Sequence, residues 1–457
     1  MIILSLLFVM GATGCNSEQN PLILTTTISL LEENESKHTK QMHEFDTAYT
    51  IGFQNSDGTY SMYVFAAPIQ FRTATGYEII DNTVVESEKE NFAFENKANH
   101  VKAFFPNRIS DPFRVELENR YLEMIFQQDA EGFLEARPII FTNMHGDNVS
   151  AVIYEGEDMD IVLYPTRAGI KSEVILRSSL ERGELAFQVS SSSPMRQNRQ
   201  NGYVLFINDE EDIDSVIYTT IIQYGAENNI DLNTSVDVQE MAEDYIVTMQ
   251  MDENVTEDVC INDPMRLEQS FEMYLDKIPD TTVYSRFHMN NFLNRYAVVG
   301  YHPILGEGWH YFRLRIQWFM LLNPEAITRA TYNIRVLSHY EESPLISLMQ
   351  MHEQWESVTM LWHSRKQQFS HYADAKPGRD QYLRYDITDF VKGAFADHCW
   401  MTESMGFMLK SQEKDAFAIL ATSDNSLYPT YLRIDMSELP IYFDRREDIN
   451  PEDPTLF

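Results

Sequence analysis

Phe113–Arg114–Val115–Glu116–Leu117–Glu118 alternates apolar and charged side chains, residue by residue. A β-strand sends successive side chains to opposite faces, so this alternation describes a strand with one face in a core and the other in water. The same reading extends outward in both directions. Upstream, Tyr60–Ser61–Met62–Tyr63–Val64–Phe65 follows the turn signal Asn55–Ser56–Asp57–Gly58. Downstream, Ile161–Val162–Leu163–Tyr164, Glu173–Val174–Ile175–Leu176–Arg177 and Leu185–Ala186–Phe187–Gln188–Val189 recur at short spacing, separated by Gly, Asn and Asp. Regularly spaced short strands with such turns predict sandwiches or barrels. No helical stripe of three turns appears before residue 280. The fold class expected is all-β, with tandem β-sandwich domains.

Length and charge divide the chain further. At 457 residues it exceeds one compact core, and 44% hydrophobic content with 12% aromatics supplies the material for several. The formal charge of −35 is unsuited to nucleic acid, whose phosphates require a face rich in Lys and Arg. That charge is concentrated. Residues 16–280 hold 18 Lys+Arg against 48 Asp+Glu, a balance of −30, whereas residues 281–435 hold 15 against 16. A domain boundary near residue 280 follows.

The chain opens MIILSLLFVMGATGC, an apolar run closed by Gly11, Ala12, Thr13 and Gly14 before Cys15. This is the pattern of a secretory signal, too short for a permanent membrane span. The small residues before Cys15 resemble a bacterial lipobox, which implies lipidation of Cys15 and a location on the outer face of the cell membrane. No Lys or Arg precedes Cys15, and Ala12 stands where such boxes usually carry Leu, so a cleaved secretory signal with an incidental cysteine is the alternative. Residues 16–46 read as a polar tether, 47–280 as an acidic β-rich region of one or two sandwiches, 281–436 as a near-neutral sandwich, and 437–457 as a polar tail, disordered from Arg445 to Phe457.

Two stretches carry resemblances. Glu78 to Val85, Phe94 to Asn99, Val101 to Pro106 and the strands between Val152 and Leu176 resemble, in order, the N-terminal region of Gram-positive wall-associated YD-repeat proteins over about residues 47–265. That family's long repeats and toxin end have no counterpart here. Val298–Gly300, Tyr311–Ile316, Ile327–Ile334, Trp355–Thr359 with Trp362, Asp386–Val391, Gly406–Lys410 and Tyr431–Ile434 resemble DNRLRE domains over about residues 281–436. Met360 and Leu361 are inserted before Trp362 relative to that signature. The resemblance implies a jelly-roll-like sandwich related to carbohydrate-binding modules and a glycan ligand. It also places Trp355 and Trp362 in the core.

Sites for chemistry are sparse. The sequence has no H-E-x-x-H, nucleophile elbow, P-loop or dinucleotide turn, so a non-enzyme is expected. No metal site is expected either. Abundant carboxylates leave open a glycosidase-like pair. Cys260 and Cys399 lack metal-ligand spacing and read as buried free thiols. Asp209–Asp212 lacks the alternation of a calcium loop, although structural calcium is compatible with a jelly roll. No other cofactor is expected. For a sugar, aromatic rings stack on apolar C–H faces and guanidinium groups match carboxylates. Trp309 and Tyr311, read as lying in a loop just after the turn Leu305–Gly308, and Arg313 and Arg315 on one face of the next strand are therefore the candidate ligand contacts. Arg313 reads equally well as a buried structural partner. The leading function is a non-catalytic cell-surface lipoprotein that binds a polysaccharide or cell-wall glycan, contacting the membrane through lipid alone. An envelope assembly component contacting unidentified proteins and a polysaccharide-processing enzyme are the alternatives.

Overall fold

A computed structural model of the chain describes residues 38–439, apart from 128–131, 144–147, 177–183, 193–195, 201–202, 208–212, 223–233, 242–243, 252–264, 274–279, 287–295, 304, 315–322, 340–343, 357–359, 379–380, 398–405, 415, 424, 426–427 and 429. Cys15, Cys260, Cys399, Arg315, the Asp209–Asp212 run and most of the tail lie outside the described residues. The chain is all-β, as the alternation predicts: the strands pair antiparallel throughout.

Two eight-stranded sheets form a large sandwich from residues 81–273. Phe113, Val115 and Leu117 point inward from one sheet, and Ile161, Leu163, Val174 and Phe271 meet them from the other. Phe271 lies edge-on to Phe113 at 5.4 Å between ring centres and 5.2 Å from Phe187, joining the layers. The intervening charged residues turn outward, where Arg114 donates to both Glu116 and Glu123. Each fully buried Val, Leu or Phe contributes roughly 1.5–3 kcal/mol, so this alternation fixes the register.

The second sandwich is assembled from two separate pieces of chain. One layer runs His38–Gln41, Thr50–Asn55, Tyr60–Phe65, Tyr431–Met436, then the long strand Ile327–His339. Tyr60 lies opposite Met436 and Phe65 opposite Tyr431. The other layer contains Tyr296–His302, Gly306–Phe312, Ile346–Met351, Phe369–Ala375, Phe407–Ser411 and Phe417–Ala421. The strand Ile327–His339 turns the corner between layers, pairing with Tyr431–Met436 through its first half and with Phe417–Ala421 through its last residues. Met62 and Val64 share one core with Phe312, Leu348, Leu409 and Leu432. A helix, Thr388–Asp397, closes that core with Val391 and Phe395; Asp386 accepts from the Thr388 N–H at its start.

The sheets therefore partition the chain differently from its charge. Residues 38–46, expected in the tether, are already folded: the His38 ring stacks on Phe53 at 4.4 Å and its Nδ1 lies 2.7 Å from Asn55 Oδ1. Residues 47–65, expected with the acidic region, belong to the near-neutral sandwich. The reason is pairing across 365 intervening residues, from Phe65 to Tyr431, which local composition does not register. The large sandwich is an insertion between Phe65 and Asp280. It carries 14 Lys+Arg against 38 Asp+Glu, a balance of −24.

Candidate functional site

Strand Gly306–Phe312 sets the geometry. Phe312 faces the sandwich core, whereas Trp309 and Tyr311 face outward beside Met351 and Met408 of neighbouring strands. The described residues 352–356 and 360–368 fold over this outer face, and Trp355 and Met360 are buried against it. Two hydrogen bonds fasten it: Tyr311 Oη donates to the Lys366 carbonyl at 2.9 Å, and Arg313 Nη2 donates to the Trp355 carbonyl.

Sequence reasoning placed Trp309 in a loop, just after the turn Leu305–Gly308. It lies instead inside a strand and is 6% exposed, with Tyr311 fully buried. Gly308, read as part of a turn, serves close packing of backbones: a Cβ there would lie 2.1 Å from the Val298 carbonyl oxygen. Trp309 Nε1 donates to Glu307 at 2.8 Å, which fixes the indole plane. Burial raises the Tyr311 phenol pKa. Arg313 is half-buried, with its guanidinium 4.9 Å above the Trp355 ring, and burial lowers its pKa. These three candidates build the face and hold its cover.

What remains accessible lies at the edge of that cover. Trp362, expected in the core, is half-buried and meets Trp309 edge-to-face at 5.3 Å. Arg365 places its guanidinium 3.9 Å from the Trp362 ring centre and 4.8 Å from that of Trp309. Lys410 Nζ lies 5.1 Å from Trp309 and 5.8 Å from Phe369. Among the described residues, Lys410 Nζ forms no hydrogen bond or ion pair. The patch thus joins a partly exposed indole to two cations whose neighbours are aromatic rings. Cation–π contacts at such sites contribute about 0.5–2 kcal/mol each. Strand alternation in Met408–Leu409–Lys410 carried the signal for Lys410; Arg365 had none, because its position depends on how 352–368 folds.

Beyond Lys410 the outer face turns polar. Ser347 Oγ donates to Asp374 at 2.7 Å, Gln412 Nε2 donates to both, and His371 Nε2 lies 3.0 Å from the same Asp374 oxygen. Hydrogen bonds from Ser347 first, then His371, hold the Asp374 carboxyl below its ordinary pKa. The carboxylate, not the imidazole, occupies the middle of this chain. Ser347 thus faces a carboxylate directly, an order different from the Ser–His–Asp triad. Among the described residues, no group of three or more His, Cys, Asp or Glu side chains is placed to hold a metal ion. No protein-family model matches the chain, and no curated protein matches it.

Proposed function

We propose that this chain is a non-catalytic bacterial cell-surface lipoprotein that binds a glycan of the cell envelope or its surroundings through the sandwich of residues 38–65 and 280–436. The observation that carries this reading is the Trp362–Arg365–Lys410 patch over Trp309. A partly buried indole at the edge of the cover offers a stacking surface for the C–H face of a sugar ring, and the two cations supply donors to hydroxyl or carboxylate oxygens. The DNRLRE-like motifs in the same sandwich point the same way, and the lipobox-like Cys15 supports attachment to the membrane by lipid.

The test uses the full exported chain on an array of bacterial, algal and host glycans, followed by calorimetry on any hit. Trp362→Ala should weaken binding at least tenfold, about 1.4 kcal/mol. A full-length protein that binds no glycan at millimolar ligand overturns the reading. Metabolic labelling with a fatty acid tests the anchor, and a label that persists in Cys15→Ala would overturn lipidation at that residue.

A further inference from the structure

The register of the second sandwich gives it two functionally different poles. In its first layer His38 lies opposite Asn55, and Tyr60 lies opposite Met436. Both ends of the described chain therefore leave at one pole, three strand spacings apart, about 14 Å. The inserted sandwich leaves at the other pole. Ala66 N donates to the Thr430 carbonyl at 2.9 Å just as the chain departs, and on its return Asp280 accepts from Ser423 N at 2.9 Å. Ser423 and Thr430 bracket one loop, so a single connection holds both junctions. Within the insertion, Asp81 lies opposite Ala98, Asn99 donates to the Thr166 carbonyl, and Met273 N donates to Ala168; these group the junction ends at one end of that sandwich. The exposed turn at Glu157–Asp158 lies at the opposite end, beyond the seven-residue strand Met159–Pro165.

We infer that the near-neutral sandwich is the base of the molecule and the acidic sandwich its outward head, held away from whatever surface either chain end is fixed to. Each strand of six or seven residues spans about 20 Å, so base and head each add a distance of that order. The head's charge of −24 adds repulsion from an anionic surface, effective within about a Debye length. This arrangement requires neither the lipid nor the glycan. It follows from which residues pair, and it assigns the aromatic patch to the part nearest the attachment.

The full chain from residue 16, carrying a polyhistidine tag at either its N- or C-terminus, can be attached to vesicles of phosphatidylcholine with nickel-chelating lipid and headgroup-linked energy acceptors. Donor dyes are introduced through a clickable non-natural residue at Asp57, on the exposed turn of the terminal pole, or at Glu157, leaving the cysteines intact. Transfer to the bilayer should be at least twofold greater from position 57 than from 157, in the same order for both tags. Equal transfer from the two positions, or an order that reverses with the tag, would overturn the inference. Co-flotation confirms attachment in each case, and because the tag replaces the lipid, failure here is distinct from failure of Cys15 lipidation or glycan binding.

Discussion

Asp280, 3% exposed, receives the backbone N–H of Ser423 on its Oδ2 at 2.9 Å. This bond ties the point where the chain re-enters the second sandwich to the loop that also receives its departure at Ala66. Removing a buried acceptor leaves the donor unpaired, at a cost of about 1–3 kcal/mol. Asp280→Ala should therefore lower the stability of that sandwich by this amount in urea unfolding. Asp280→Asn, which keeps an acceptor oxygen, should recover most of it. Equal losses in the two variants would show that the carboxylate charge, not this hydrogen bond, is what matters.

The two-piece construction of the second sandwich predicts an asymmetric response to dissection. A fragment of residues 281–436 lacks the three strands between His38 and Phe65, exposes the edge Tyr431–Met436, and loses Met62 and Val64 from the core. It should be aggregated or molten. Replacing residues 67–279 by a Gly/Ser linker of about eight residues, each spanning up to ~3.3 Å, should instead preserve a folded protein, because both junctions meet one loop. Near-ultraviolet circular dichroism distinguishes the two. A well-folded 281–436 fragment contradicts the strand pairing.

The legibility of this fold had a physical limit. Alternation is local, so strands such as Phe113–Leu117 and Tyr60–Phe65 could be read directly. Pairing partners are not local. Nothing within Thr50–Phe65 indicates that its neighbour is Tyr431–Met436, and charge density assigned it to the wrong body. At the candidate site the residue types were informative but their exposure was not. Trp309 and Trp362 are both Trp near a turn or motif, and their burial is decided by the path of 352–368. That path depends on Arg313 and Tyr311 bonding to its carbonyl groups. Lys410 was readable from parity on its strand; Arg365 was not.

His310 gives the second sandwich a pH dependence. It is buried beside Thr282, whose Oγ1 lies 3.1 Å from Nδ1, and burial lowers its pKa from 6.5 to about 3. The unfolded chain therefore takes up the proton first as pH falls. Stability from this group is complete above about pH 6.5 and is lost progressively as pH falls toward 3, by up to about 1.4 kcal/mol per pH unit. Asp374 and Asp386, held below their ordinary pKa by hydrogen bonds from Ser347 and Thr388 respectively, lose their contribution only lower, as pH falls through about 4. Urea unfolding between pH 7 and 4.5 covers the histidine window, in which His302, also lowered by burial, contributes in the same direction, and the His310 variant separates the two. Wild type should lose about 2 kcal/mol over that range, and His310→Gln should show a flatter profile.

Trp309 and Trp362 should separate core from contact. Truncating a buried Trp costs about 3–5 kcal/mol, so Trp309→Ala should unfold the second sandwich or bring it close to unfolding at 37 °C. Trp362→Ala, removing a half-buried ring at the edge of the same cluster, should cost less than half as much. Differential scanning calorimetry of the full chain provides the comparison. Equal destabilisation would place Trp362 within the core and remove the stacking surface from the proposed site.

Arg313 and Lys410 test whether a cation near the patch positions it or touches the ligand. Arg313 lies over Trp355 and donates to its carbonyl, so it holds 352–368 in place; a lysine cannot reproduce both the planar stacking and the directed N–H. Arg313→Lys and Arg313→Ala should both weaken glycan binding and speed proteolytic cleavage within 352–368, because the cover opens more often. The Lys410 ammonium lies 5.1 Å and 5.8 Å from the Trp309 and Phe369 ring centres, beside the polar half of the face. Lys410→Met retains most of its aliphatic packing and removes the charge. It should weaken binding severalfold, reduce the salt dependence of affinity, and leave cleavage unchanged. Faster cleavage in Lys410→Met would make it a second positioning residue and leave Arg365 as the patch's cationic contact.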